Sequence, residues 1–205
     1  MIKGVKICGV SDPKTLNYII NHPYPPTYVG FITNYKKSKR FVDYEKLKKL
    51  TNFEKKNVNF VSVMVNPTNK FLEKIKNFNF DYYQLYDVSP ERTKEIKRIY
   101  QIKIISALTI DDEKDVNKFK DYENISEIIL FDGKGYEKSI GFDHKLLDVL
   151  PLYLKKMIAG NIKIEDISKF KNKDFIIDLS GSLENNDGKK DIEKINKVLN
   201  LIGKI

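Results

Sequence analysis

Short apolar runs alternate with amphipathic stretches along the whole chain. The runs are rich in Val, Ile, Phe and Tyr and are too short for buried helices, so each predicts a buried β-strand. They are "IKGVKIC" (2–8), "TYVGFI" (27–32), "NVNFVSVMV" (57–65), "FDYYQL" (80–85), "IKIISAL" (102–108), "SEIILF" (126–131), "KKMIA" (155–159) and "DFIIDL" (174–179).

Each apolar run is followed by a segment with helical periodicity or helical start signals. Asp12 with Pro13, and Ser89 with Pro90, combine a capping side chain with a proline suited to the first helical turn. The predicted helices span 12–20, 43–50, 66–78, 89–100, 111–119, 143–150, 163–170 and 189–202.

Eight strand–helix pairs in series predict a parallel sheet, because a helical crossover returns the chain to the same end of the sheet. Eight pairs close a (β/α)8 barrel, and 205 residues is near the lower limit for that fold. We therefore expect an α/β TIM barrel in which residues 1–205 form a single compact catalytic domain. A doubly wound open sheet is the alternative, but "CGVSDPK" after the first strand lacks its glycine-rich turn.

Composition narrows the class of protein. The chain is 41% hydrophobic, has no apolar run long enough to span a membrane, and begins with no signal-peptide pattern. Its one cysteine cannot form an internal disulfide, which favours a cytoplasmic location. The net charge is +9, yet the lysines are spread over the chain and are not interleaved with aromatic residues. We expect neither nucleic acid nor a membrane as partner, but a small anionic substrate.

Two residues at predicted strand ends can transfer protons. In this fold the active site lies at the carboxyl ends of the strands, where Cys8 and Asp132 are found. A thiolate favoured by nearby positive charge can act as a base, and a carboxylic acid in a barrel mouth can act as an acid. Such a pair suits an isomerisation without a redox cofactor. The alternatives are a small buried hydrophobe for Cys8 and a turn residue for Asp132.

Two later loops have the small residues that let backbone amides approach a phosphate. "AGN" (159–161) follows the seventh strand and "LSGSLEN" (179–185) the eighth, where phosphate sites recur in such barrels. Arg40 offers a fork of donors for a carboxylate, although it could also be a solvated loop charge. With two histidines and no ligand cluster, no metal site is expected.

Eight motifs follow one another in a fixed order along the chain. They are "KICGVSD", "VGFITNYKKSKRFV", "VSVMVN", "YQLYD", "ILFDG", "GFDHKLL", "IAGNI" and "DLSGSLENNDGKKD". Over nearly the whole chain, this series resembles the phosphoribosylanthranilate isomerases of tryptophan biosynthesis. The first motif is similar to the opening K-I-C-G-x-[ST] pattern of that family, and the last to its D-x-S-S-G-V-E-x-x-P-G-x-K-D.

The resemblance implies a cofactor-free barrel that converts N-(5′-phosphoribosyl)anthranilate into an aminodeoxyribulose phosphate by an Amadori rearrangement. It implies Asp132 as the general acid, Cys8 as the general base, and Arg40 as the group that holds the anthranilate carboxylate. Asp178 would bind ribose hydroxyls. The remaining residues expected to bind substrate are Gln84, Tyr86, Gly160, Asn161, Ser180, Gly181 and Ser182. As in the family, either a monomer or a homodimer is expected.

Four departures from the family pattern affect expected ligand contacts. Tyr86 replaces a usual histidine, Asn161 replaces a second glycine, and "SGS" (180–182) inverts the usual S-S-G order. The fourth is a loop that is glycine-rich in the family and reads "KGYEKSIGFDH" (134–144) here, with His144 as the aromatic partner. None removes the proposed acid or base. The open alternatives are another phosphosugar isomerase or aldolase on the same barrel, and a non-catalytic barrel that binds a phosphate ligand or nucleic acid.

Overall fold

Eight parallel strands close into a barrel in chain order, and the last strand pairs with the first. The computed structural model describes residues 2–135 and 140–203. The prediction of a (β/α)8 barrel is confirmed. The strands are β1 (Gly4–Cys8), β2 (Tyr28–Ile32), β3 (Asn59–Val65), β4 (Tyr82–Tyr86), β5 (Lys103–Ile110), β6 (Ile128–Gly133), β7 (Lys156–Ile158) and β8 (Phe175–Leu179).

Helices connect successive strands on the outside of the barrel. Asp12, Asp43, Thr68 and Ser89 each cap a helix by accepting a backbone N–H at its start. The α-helices are α1 (Pro13–Ile20), α2 (Tyr44–Thr51), α3 (Asn69–Ile75), α4 (Pro90–Tyr100), α5 (Glu113–Asn117), α6 (Phe119–Tyr122) and α7 (Ile192–Ile202). Among the described residues, none of the helices has the length and apolarity to cross a membrane.

The sixth and seventh predicted helices are 3₁₀ helices, which span His144–Val149 and Ile164–Phe170. The spacing of their apolar residues explains the difference. Ile164, Ile167 and Phe170 are buried at intervals of three, as are Leu147 and Leu150. A helix with three residues per turn places such residues on one face, whereas an α-helix would rotate them apart.

Strand alternation divides the apolar residues into two layers. One set fills the space between the strands and the outer helices, and includes the edge-on pair Phe31 and Phe60. The other set fills the barrel, where Tyr28 and Tyr82 pack edge to face at 5.5 Å. Within the described part of the chain the barrel is therefore a packed core, and a cavity opens at its carboxyl end.

An ion pair lies inside this apolar barrel. Lys6 of β1 is fully buried, and its Nζ donates to Asp178 Oδ2 of β8 at 2.7 Å. The two residues are also partners in the β1–β8 strand register. A buried charge is tolerated when it is paired, so the interaction fixes the seam at which the barrel closes.

Gly30 of β2 makes the space that the Lys6 and Cys8 side chains occupy. A Cβ at this position would lie 2.9 Å from Cys8 Sγ and 3.1 Å from Lys6 Cε. Lys6 is fully buried inside the packed barrel, so its side chain has no open space into which to move. Glycine is therefore required here by close approach.

Gly30→Ala is expected to destabilise the fold by about 1–3 kcal/mol, since overpacking forces neighbouring side chains from their preferred positions. Urea unfolding measures the loss. Gly141→Ala is the matched control, because a Cβ there meets its nearest atom at 3.5 Å. Equal stability of the two variants would contradict the claim that a Cβ at position 30 overpacks the barrel.

Candidate active site

A cavity of about 430 Å³ opens at the carboxyl ends of the strands, a size typical of small-ligand sites. Ten of the eleven residues predicted to form a site line it. Five are side chains with chemical groups, namely Cys8, Arg40, Tyr86, Asp132 and Asp178. Five come from the loops after β7 and β8, namely Gly160, Asn161, Ser180, Gly181 and Ser182.

Gln84 is the predicted residue that does not line the cavity. Its strand continues to Tyr86, so Gln84 lies one inward-facing position lower and is fully buried in the barrel. Neither polar atom of its amide has a hydrogen-bond partner among the described residues. The sequence pattern places Gln84 at a strand end because the apolar run "FDYYQL" ends at Leu85.

Cys8 ends β1 and faces the cavity with 7% of its surface exposed. Burial raises the pKa of its thiol, while the charge of Lys6 acts against that rise. Asp178 raises the pKa of the thiol as well, and Lys190 lowers it. The reactivity of Cys8 therefore depends on how these buried charges are arranged around it.

Asp132 is the penultimate residue of β6, and its side chain is held by Tyr86. The Tyr86 Oη donates to Asp132 Oδ2 at 2.8 Å. Burial, and then the charge of Asp132, raise the pKa of Tyr86 well above its ordinary value, so the phenol stays protonated and remains a donor. Tyrosine at this position thus contacts the proposed acid directly.

A buried carboxylate that the sequence analysis did not single out organises the rim of the cavity. Glu184 accepts hydrogen bonds from Arg40, through Nε and through Nη2 at 3.0 Å, and from Lys190 Nζ at 3.0 Å. These contacts hold the pKa of Glu184 at about 2, despite its burial. Glu184 lies in the loop "LSGSLEN" (179–185), so its place near the strand end was available from the sequence, but its intramolecular partners were not.

Lys190 is the second residue that sequence reasoning missed. Its side chain is 2% exposed, and its Nζ also donates to the backbone oxygen of Ser180 at 3.0 Å. An antiparallel bridge between Glu184 and Lys190 brings the two residues together across a turn. Burial lowers the pKa of Lys190, and Glu184 offsets that effect. In the sequence, Lys190 is one lysine among many.

The loops after β7 and β8 present polar groups to the cavity. Gly160 and Asn161 both have left-handed backbone, with φ of 92° and 56°. Asn161 fits because asparagine adopts this conformation more readily than most residues. Ser182 Oγ and Asp178 Oδ1 are buried and have no hydrogen-bond partner among the described residues. Both oxygens are therefore available to a ligand.

The described residues contain no cluster of three or more His, Cys, Asp or Glu side chains able to hold a metal ion. His144 packs edge-on against Phe142 and Phe170, outside the cavity lining. His22 contacts Tyr24 and Asn196.

A closed parallel barrel with a polar cavity at its carboxyl end, lined by a thiol, a carboxyl group and two small-residue loops, defines a (β/α)8-barrel enzyme. Residues 5–201 match the family described as N-(5′-phosphoribosyl)anthranilate (PRA) isomerase. The chain belongs to this family, which confirms the resemblance inferred from its motifs.

Individual relatives agree with this assignment. The chain is 32% identical to the N-(5′-phosphoribosyl)anthranilate isomerase of Clostridium acetobutylicum, over 97% of each chain. It is 29% identical to that of Rhizobium rhizogenes, over 98% of this chain and 95% of the relative. The phosphoribosyl anthranilate isomerase structure from Thermotoga maritima has the same fold, with a TM-score of 0.87, 24% identity and full coverage of both chains.

Loss of the Glu184 charge is expected to flatten the acid dependence of stability. The folded-state pKa of Glu184 is about 2, below its ordinary 4.5, so its contribution is complete above 4.5 and is lost as the pH falls toward 2. The contribution is about 2 kcal/mol once screening at the cavity mouth is allowed for. Urea unfolding at a series of pH values from about 6 to about 2 measures how the free energy of unfolding changes over this range.

Glu184→Gln is expected to be less stable than the wild type at neutral pH, because Lys190 loses its buried counter-charge. Its stability should also change less with acid. Glu45→Gln, at an exposed position on α2, is the control and should behave as wild type. If the stability of Glu184→Gln fell with pH as steeply as that of the wild type, Glu184 would not be the source of this acid dependence.

Proposed function

We propose that this chain isomerises N-(5′-phosphoribosyl)anthranilate to 1-(2-carboxyphenylamino)-1-deoxyribulose 5-phosphate, with Asp132 as acid and Cys8 as base. The observation that carries the proposal is that both residues line one cavity in a chain of this family. Their strands, β6 and β1, are separated around the barrel by β7 and β8. An acid and a base on different sides of one ligand fit a reaction that moves a proton along a sugar.

The reaction begins at the sugar ring. Asp132 gives its proton to the ring oxygen, and the C1′–O bond breaks with its electron pair left on that oxygen, which becomes a hydroxyl group. The anthranilate nitrogen supplies its lone pair to C1′, and a protonated imine forms. Tyr86 holds one oxygen of Asp132 by its hydrogen bond and so fixes the orientation of the carboxyl group.

The second step moves the C2′ proton. The Cys8 thiolate takes it, and the released electron pair forms a C1′–C2′ double bond while the imine nitrogen becomes a neutral amine. The resulting enol becomes the ketone by losing its O2′ proton while C1′ gains one, which completes the product. Cys8 has then gained a proton and Asp132 has lost one, and proton exchange with solvent returns both groups to their starting states. No electrons leave the substrate, so the chemistry requires no redox cofactor.

The remaining groups are proposed to bind the parts of the substrate that do not react. Ser182 Oγ and the amides of Gly160, Asn161 and Gly181 surround a position for the phosphate. Asp178 Oδ1 can accept from a ribose hydroxyl. The site thus offers hydrogen-bond donors to the phosphate and a hydrogen-bond acceptor to the sugar hydroxyls.

Arg40 is proposed to attract the anthranilate carboxylate. Glu184 fixes the plane of its guanidinium at the cavity rim, where the Arg40 side chain is 12% exposed. A guanidinium held in this way loses little conformational entropy when it binds a second carboxylate.

The biological setting follows from this activity. We propose that residues 1–205 act as one catalytic domain in tryptophan biosynthesis, in the cytoplasm, on a small phosphorylated substrate. We propose a monomer or a homodimer, with neither nucleic acid nor membrane as partner. The scattered lysines support this, because several of them form surface ion pairs with Asp or Glu.

Turnover of freshly prepared N-(5′-phosphoribosyl)anthranilate, followed by its fluorescence decay, tests the proposal. The wild type should be active, and Cys8→Ser and Asp132→Asn should each lose at least about a hundredfold in kcat, the usual contribution of a general acid or base. Asp111→Asn, just beyond the end of β5, is the control and should retain activity. No wild-type turnover would refute the function, and full activity in either site variant would refute its assigned role.

Ser182→Ala tests the phosphate position. Loss of a hydrogen bond to a charged group should raise KM about tenfold with little change in kcat. Thr93→Val is the matched control, since it deletes another buried hydroxyl without a partner among the described residues, on α4. A similar KM in both variants would place the phosphate elsewhere.

A further inference from the structure

The buried charge of Lys6 lies directly beneath Cys8, the proposed base. Lys6 and Cys8 are two residues apart on β1, so strand alternation points both side chains into the barrel. Lys6 is fully buried, and lysine is seldom found so deep without a specific partner. The ion pair with Asp178 explains why the barrel tolerates the Lys6 charge. It does not explain why this charge lies next to the Cys8 thiol.

The glycine opposite Cys8 shows how close the two groups lie. Gly30 is the register partner of Cys8 on β2. One point, the position of a Cβ on Gly30, lies 2.9 Å from Cys8 Sγ and 3.2 Å from Lys6 Nζ. The ammonium and the thiol therefore border the same small space, with no side chain between them at that point.

We propose that Lys6 is a positioning residue for the base: its ammonium stabilises the thiolate of Cys8, and Asp178 holds the ammonium in place. This inference rests on the proposed role of Cys8 as base. Proton removal from C2′ requires the thiolate, and a thiol in a largely apolar barrel resists ionisation. A fixed ammonium below the sulfur offsets that resistance without occupying the cavity where the substrate binds.

The other charges that face Cys8 differ in position and effect. Asp178 on β8 opposes ionisation of the thiol, while Lys190, before α7, favours it. Arg40, after β2, and Tyr86, on β4, also interact with the Cys8 charge. Lys190 and Arg40 both donate hydrogen bonds to Glu184, whose negative charge offsets their positive charges. Among these groups, Lys6 has the largest effect that lowers the pKa of the thiol.

The test is a titration of Cys8 without substrate, by the ultraviolet absorbance of its thiolate and by its rate of alkylation with iodoacetamide. Since the chain has a single cysteine, Cys8→Ser gives the background from tyrosine and from other nucleophiles. Removal of both charges, in the double variant Lys6→Met with Asp178→Asn, avoids an unpaired buried carboxylate and preserves side-chain volume.

The double variant should have a higher thiol pKa than Asp178→Asn alone, by about one unit or more, and an alkylation rate at neutral pH about tenfold lower. An equal thiol pKa and an equal alkylation rate in the double variant and in Asp178→Asn would overturn the proposal. Lys156→Met removes another buried lysine, whose Nζ donates to Pro151 at 3.1 Å, and should leave the titration unchanged. The same shift in Lys156→Met would also overturn it.

Asp178→Asn gives a second test that does not depend on the folding of the double variant. With its carboxylate partner removed, the Lys6 ammonium has the Cys8 thiolate as its nearest counter-charge, so the thiol pKa should fall below that of the wild type. An unchanged value would contradict the proposal. Because no substrate is present, a chain that titrates as expected but fails to turn over would refute the isomerase function alone.

Discussion

The Lys6–Asp178 ion pair is the constraint that connects the fold to the site. It joins the first strand to the last at the seam where the barrel closes, between residues that are register partners. A shift of either strand by one residue would turn its charged side chain to the other face of the sheet and leave the other charge unpaired inside the barrel, at a cost of several kcal/mol. The pairing that closes the barrel therefore also fixes Cys8, two residues further along β1, and Ser180, two residues beyond Asp178.

A second charge network fixes the rim of the cavity in the same way. Glu184 connects Arg40, in the loop after β2, to Lys190, in the turn after β8. Loops are usually more mobile than strands, and a site made from them needs such restraints to hold its geometry. The two networks lie below and beside the cavity, so charged groups are oriented before a ligand arrives.

The sequence predicted the barrel because each strand is a short apolar run and each crossover has a helical pattern. Strand-end reasoning then brought Cys8 and Asp132 to one cavity without any coordinate. It failed for Gln84, because strand ends are uncertain by one or two residues and a single inward step moves a side chain out of the cavity. The 3₁₀ helices after β6 and β7 were missed because their three-residue spacing is similar to that of an α-helix over a short segment.

The charge networks could not be predicted for a different reason. Lys6, Glu184 and Lys190 belong to residue types that are abundant in this chain and mostly exposed. Their burial follows from contacts between residues far apart in sequence, such as Arg40 with Glu184 and Lys6 with Asp178. Hydrophobic periodicity carries no information about such pairs, so only the closed barrel reveals them.

The proposed mechanism depends most on where Cys8 and Asp132 lie relative to the reacting sugar. A crystal structure of this chain with reduced 1-(o-carboxyphenylamino)-1-deoxyribulose 5-phosphate, the compound bound in a solved phosphoribosyl anthranilate isomerase, measures this directly. The mechanism predicts that Cys8 Sγ lies within about 3.5 Å of C2′, with the Asp132 carboxyl group on the other side of the sugar chain and the phosphate at Ser182. A ligand bound in the cavity with C2′ out of reach of Cys8 would contradict it.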